Sequence, residues 1–479
     1  MNTSRIILFT SIIIILLSIL KSNIAFSSGV SITTQWVVYS NISDNDDYAY
    51  ATCSFGSYVY VTGSTGYNFY VEAIDKDTGR IIYIWSPGYG EELYDCVIIN
   101  GDIYAVGYEW TWLGSYEWAI IRLDYSLNLI DSVYEDVSSD EDIAYAVATD
   151  GSYLYIAGVD KSPGDAQWRI EKRSLPGLDL IKVYTVNPSS SNDYVYDIKI
   201  NPADGKIWVI GFNGNKWKPH VEILDKNLNK IKSFDIDISG VGGRAYSIVF
   251  DTNGYAYIVS EYATIKYSKD GYMVSLNSYI GGYKAILYND LLYIFNYEYD
   301  DITGYFIHYI SVLDANKLTS IATVVLSTDV NGDSYFDIGD AFLDKDKNVI
   351  YVAGYNDAPG SDQWVIYSLS IKTPEETVTT REEIVKISTT TITTTKTQTT
   401  SLIKTKYHTL TTTKFSTKSY TTTKTSIVST TTTTTKILNK TLTTTSTKEV
   451  TKIDWGITSL VSIIVAIIGI SIGMFIRKH

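Results

Sequence analysis

Histidine, methionine and cysteine are scarce in this chain, at 4, 3 and 2 among 479 residues. His220 and His308 fall in separate repeats, His408 lies in a Thr-rich tract and His479 is the last residue. No His-rich metal constellation can be assembled from them, and no serine nucleophile elbow occurs. Basic charge is short as well. Residues 28–372 carry 23 Lys and Arg against 47 Asp and Glu. An acidic head of this kind repels phosphate backbones, which excludes nucleic acid as a partner. It suits cations or basic partners, and the same charge also gives a solvated, aggregation-resistant face. Few Met and Gln beside much Ile and Tyr is a thermophile-like composition.

What the chain has in quantity is tyrosine, 41 residues, set in a repeated pattern. Between Tyr48 and Gly354 an acidic or polar lead-in is followed seven times by an alternating apolar segment, a tight turn and a strand end near Tyr-x-Val-x-Gly. The clearest copies end at Gly63, Gly107 and Gly158. The fourth ends at Gly211 and the seventh at Gly354, while the fifth and sixth carry Ser260 and Phe295-Asn296 instead. Each copy reads as four short strands: Tyr50–Ser54, Tyr58–Thr62, Phe69–Ile74 and Ile81–Trp85 in the first. A unit of roughly 36 to 59 residues cannot bury its apolar face alone, so the copies must stack. The pattern predicts an all-β, seven-bladed β-propeller over 35–372. The seventh copy stops after its third strand, Trp364–Ser370, and Gln35–Ser40 has no other partner. That early strand is expected to complete the last blade and close the ring. An open β-solenoid or a pair of sandwiches is the alternative.

Each end of the chain has an apolar segment. Arg5, the stretch Ile6–Leu20 and the small residues Ala25 and Ser27 read as a signal peptide over 1–27. Residues 373–452, about half Ser and Thr and with 12 basic against 5 acidic residues, lack the apolar content to fold. They read as a disordered, glycosylated Thr/Ser-rich stalk. Residues 455–476 are an uncharged stretch long enough for one transmembrane helix. Arg477 and Lys478 follow, so 477–479 is expected in the cytoplasm, with propeller and stalk outside.

The repeat "YAxA", "G-x-x-Y-V-x-G", "F/W-V-x-x-L/I-D" resembles the bacterial and archaeal β-propeller repeat often called SBBP, over residues 35–372. The resemblance implies a seven-bladed propeller on a secreted or cell-surface protein and no single activity. Signal, head, Thr-rich stalk and anchor together look like an archaeal surface-layer-associated protein.

Four features are candidate sites, and two more read as structural. Asp329, Asn331 and Asp333 alternate in "DVNGDSYFDIGD", where the Tyr335 carbonyl and Asp337 or Asp340 could complete a calcium loop. The loop resembles those of integrin-type propellers and dockerins, although Ser334 replaces the turn glycine; a solvated acidic turn is the alternative. Cys53 and Cys96, on inner strands of adjacent blades in an exported chain, are a candidate disulfide or two buried thiols. Trp110 and Trp112 sit in a loop without counterpart and are a candidate ligand platform. Trp118, Trp168 and Trp364 recur at the third strand and read as blade packing. Asn41-Ile-Ser43 and Asn439-Lys-Thr441 are N-glycosylation sequons. A quinone-enzyme-like repeat, Ala73–Trp85, occurs once and reads as an ordinary turn.

These features favour a non-enzymatic, membrane-anchored propeller for adhesion, ligand binding or surface-layer association, with glycans or surface-layer proteins as partners. The alternatives are a tethered extracellular hydrolase acting on polysaccharide or peptide, and a structural surface-layer component.

Overall fold

The computed structural model describes residues 30–373, apart from 112–113, 139, 163, 239–241, 301–304, 328–335 and 358–361. The expected signal peptide (1–27), the stalk, the transmembrane segment (455–476) and the tail (477–479) lie outside the described residues. Among the described residues no helix is long and apolar enough to cross a membrane. All their regular structure is β: 28 strands in seven four-stranded antiparallel sheets. Six sheets use four consecutive strands each. In the seventh, Ser31–Ser40 is the outermost strand, beside Asp362–Lys372. Ser40 pairs with Trp364 and Thr33 with Ser370, so the early strand completes the last blade as the sequence predicts.

Each innermost strand is bent by a β-bulge in every blade but the sixth. In blade 1 the register shifts between Ala49 and Ala51, which lets both alanines face the core at 0% and 1% exposure. Tyr50, the extra residue, is turned out of the alternation and toward the axis, the usual effect of a bulge. This is why the strand begins at Asp47 and not at Tyr50, where simple alternation starts it.

The acidic lead-ins are buried clasps. Asp47 accepts hydrogen bonds from the backbone amides of Ile42 and Ser43 and from the Ser43 hydroxyl. Asp142 does the same with Ser138, and Asp193 with Ser189. All three carboxylates are fully buried. Charged acceptors that satisfy two or three donors hold the inter-blade turn.

Neighbouring blades lock through large side chains and glycine. A Cβ on Gly158 would lie 2.1 Å from the Ile143 carbonyl oxygen across the bulge and 2.7 Å from the Trp118 ring of the preceding blade. Gly63 meets Tyr48 and Trp364 in the same way, and Gly211 meets Tyr194 and Trp168. Trp118, Trp168 and Trp364 are all fully buried, and the Trp118 and Trp364 indoles donate to the carbonyls of Val159 and Ser64 in the next blade. Pro219 takes the equivalent place in blade 4, and in blade 5 it falls to Tyr262, whose ring is 53% exposed and not packed into the seam. The blades that follow them are those with Ser260 and Asn296 in place of glycine.

The junction of blades 7 and 1 is stitched at three depths. Asp340 accepts from the Thr52 amide and hydroxyl at 2.8 and 2.9 Å. Lys76 pairs with Asp344 at 2.9 Å, both nearly buried. On the outer strand, Trp36 donates to the Lys76 carbonyl and lies 5.7 Å from the Tyr351 ring.

Candidate functional site

Bulges in blades 1 to 5 place one tyrosine each around one mouth of the axial channel, and Tyr283, just ahead of the unbulged inner strand of blade 6, joins them. Successive ring centroids are 4.8 Å apart for Tyr50–Tyr94, 5.1 Å for Tyr94–Tyr145 and 6.5 Å for Tyr145–Tyr196. Tyr196–Tyr246 and Tyr246–Tyr283 follow at 5.0 and 4.9 Å. The seventh position is Gly339, where a Cβ would lie 2.3 Å from the Ala49 carbonyl oxygen. Glycine there lets blade 7 close tightly on blade 1. The collar tyrosines are half-buried, so part of each ring faces the channel. Burial, then the nearby Glu92 carboxylate, holds the Tyr50 and Tyr94 hydroxyls well above the usual phenol range, so they remain donors.

One residue deeper lies a layer of charge. Asp95, Asp197 and Asp340 follow the bulge in blades 2, 4 and 7. Each accepts the amide of the next blade: Asp95 from Val147 at 2.9 Å, Asp197 from Ile248 at 2.9 Å, Asp340 from Thr52. Ser247 accepts from Ala285 in the same manner. Lys199 pairs with Asp197 at 2.6 Å, and Lys284 pairs with Asp340. Burial pushes the Asp95 carboxyl up to about 6, with Lys199 and Lys284 pulling it back. These carboxylates are engaged in holding blades together, which disfavours them as a free acid–base pair.

From the collar an aromatic track runs outward over blade 2. Tyr94 and Tyr108 are 5.9 Å apart, Tyr108 and Tyr116 4.6 Å, and Tyr116 and Trp110 5.1 Å. Trp110 is 50% exposed at its end. Carboxylates accompany the track. Burial pushes the Glu92 carboxyl up, and the nearby Tyr94 and Tyr50 hydroxyls pull it back. Burial, then repulsion from Glu92 and Glu109, pushes Glu91 up to about 7. Beside the collar, between blades 1 and 2, is a cavity of about 210 Å³ lined by Asp44, Asn45, Asp46, Tyr48, Ser64, Tyr67 and Glu92.

The sequence-derived candidates are dispersed. Cys53 and Cys96 are joined across blades 1 and 2, with Cα atoms 6.0 Å apart. Asn41 is exposed, and the Ser43 of its sequon is also the clasp serine of blade 1. Trp112, Asn439, Asp329, Asn331, Asp333 and Tyr335 lie outside the described residues. Asp337 is on the innermost strand of blade 7, while the Asp340 carboxylate is engaged with Thr52 and Lys284. Among the described residues no group of three or more His, Cys, Asp or Glu is placed to hold a metal. The collar went unread in the sequence, although its signal was present: Tyr50, Tyr94, Tyr145 and Tyr283 each stand 13 residues before the strand-end position.

One arrangement imitates a hydrolase. His220 lies 2.7 Å from Asp235 and 3.4 Å from the Ser233 hydroxyl. The hydroxyl, however, is 2.5 Å from Glu222, which also sits 3.1 Å from the imidazole. Its proton goes to that carboxylate, and His220 is 5% exposed and packed edge-on to Trp168. This is a satisfied inter-blade network.

No protein-family model matches the chain, and no curated protein does. Among solved structures, the chain is similar to the Neurospora crassa Pan2 WD40 domain at 11% identity and a TM-score of 0.48, over 71% of this chain and 96% of that one. Kuenenia stuttgartiensis hydrazine synthase is similar at 16% identity and a TM-score of 0.41, over 59% and 84%. A Bacteroides caccae protein of unknown function is similar at 14% identity and a TM-score of 0.39, over 56% and 94%. Likeness this remote carries no functional argument, and the propeller assignment rests on the seven sheets themselves.

Proposed function

We propose that this chain is a binding protein displayed at the cell surface, with the propeller as its ligand-binding head. Residues 373–452 serve as its stalk and 455–476 as its anchor, and the head acts in adhesion, ligand capture or surface-layer association. The observation that carries this reading is the collar: six tyrosines gathered at one mouth, five of them by bulges, and continued by an aromatic track to exposed Trp110. Half-exposed aromatic rings edged with carboxylates present flat apolar faces and hydrogen-bonding groups together, as binding sites require. Calcium at Asp329, Asn331, Asp333, Tyr335 and Asp337 would act in this scheme as a structural ion near the junction of blades 6 and 7.

A binding screen of the purified protein against glycans and surface proteins tests the reading, with Tyr94→Ala as the comparison. A ligand lost in that variant supports the collar as the site. Binding that is indifferent to Tyr94 and to Trp110→Ala removes it.

A further inference from the structure

The cavity beside the collar gathers carboxylates with no cation among them. Several carboxylates of the head are paired with cations, as Asp102 is with Arg122, Glu171 with Arg169 and Arg173, and Asp344 with Lys76. Others, such as Asp47, Asp142 and Asp193, are satisfied by amide and serine donors. The cavity is lined by Asp44, Asp46 and Glu92, with the rings of Tyr48 and Tyr67, and holds no Lys or Arg among its described lining residues. The charged groups acting on Tyr48 are Asp46, Asp362 and Glu92, all of one sign. Glu91 and Glu109 add to that sign along the track.

Resting on the binding reading above, we propose that this mouth takes an alkylammonium group, a lysine-like primary amine on a flexible carbon chain. The charge relieves the carboxylates that line the cavity, and the N–H donors find acceptors among Asp44, Asp46 and Glu92 without all three having to converge on one point. The negative ring faces of Tyr48 and Tyr67 attract the cation, while the carbon chain covers apolar surface. A neutral sugar hydroxyl leaves the repulsion in place. A hard divalent ion asks for six or more converging oxygens, and no three-carboxylate cluster of that kind occurs among the described residues.

Calorimetric titration of the full-length protein at low salt tests this with pentane-1,5-diamine against its neutral counterpart pentane-1,5-diol. The diamine binds saturably and about tenfold or more tightly than the diol. Two variants of exposed residues leave folding intact. Asp46→Asn removes one charge. Tyr67→Asn removes a ring that is 74% exposed, and asparagine tolerates its φ of 70°. Each weakens the diamine about fivefold or more and leaves the diol unchanged. Equal affinity for diamine and diol, no diamine binding, or full diamine affinity in both variants overturns the proposal. If the diamine fails while a screened ligand is lost in Tyr94→Ala, the mouth remains the binding site and only the ammonium assignment falls. If both fail, the binding reading falls with it.

Discussion

Blades 1–3 and 7 hold their neighbours differently from blades 4–6. At the 7–1, 2–3 and 3–4 seams a buried tryptophan fills the space a glycine leaves open in the next blade. At the 1–2 seam Phe69 covers Gly90, and Cys53 is joined to Cys96. From blade 4 to blade 6 no large buried ring fills this place, which is held by Pro219, the exposed Tyr262 and His308. The inner clasps do not follow that division, since Asp197 and Ser247 serve the irregular half as Asp95 and Asp340 serve the regular one. Inner-ring hydrogen bonds therefore join blades in both halves of the ring, while aromatic packing adds stability to one half. The cavity and the aromatic track belong to that tightly packed half, which suits a site whose rings must be held still.

The sharpest way to break this comparison is to truncate the same position in both halves. Trp118→Ala should cost about 3–5 kcal/mol in denaturant unfolding, as large aromatic truncations in cores do. Pro219→Ala, at the matching register position, should cost less than about 1 kcal/mol. Similar costs would remove the distinction. Next is the Cys53–Cys96 link at the seam without tryptophan. It spans 43 residues, and chain entropy gives about 4 kcal/mol for a loop of that length, read as a lower urea midpoint in Cys53→Ser/Cys96→Ser. Asp340→Ala should follow at about 3 kcal/mol, because it leaves Lys284 without its partner and the Thr52 amide without its acceptor. Trp118→Ala and Asp340→Ala act at different seams and should add.

The smallest effect is on pH dependence. Burial raises Glu72 to about 7 and Asp95 to about 6, against about 4 in an unfolded chain. The folded state then binds these protons more tightly. The stability they contribute is full below about pH 4 and is lost as pH rises through 6 to 7. Thermal midpoints should rise from pH 8 to pH 5, and Glu72→Gln should flatten the rise. Asp75, Asp124, Asp225 and Asp344, whose carboxyls are held below the usual range, reverse the trend under about pH 4.

The repeat made the propeller legible because alternation and strand-end glycines report on local sterics. Gly63, Gly158 and Gly211 are glycines for one shared reason, and Ser40 facing Trp364 followed from counting strands. Bulges were not legible. Tyr50 and Tyr94 break period two, so simple alternation discards the residues that form the mouth. The acidic lead-ins misled for a related reason: Asp47, Asp142 and Asp193 look solvated by type and are buried by hydrogen bonding to serines four residues earlier. Trp110 stood out in the sequence as an unmatched residue expected in a loop, but it ends the strand Asp102–Trp110 opposite Tyr116, and its link to the collar through Tyr116 and Tyr108 is a tertiary fact.

Ring closure sets the axis on which the collar is arranged, and amide hydrogen exchange tests it most directly. The amides of residues 36–40 that pair with 364–368 should be protected to the same degree as those of the partner strand and should open together with it. Exchange of 36–40 at the rate of an unpaired segment, while 364–368 stays protected, would contradict the closed ring and the mouth built upon it.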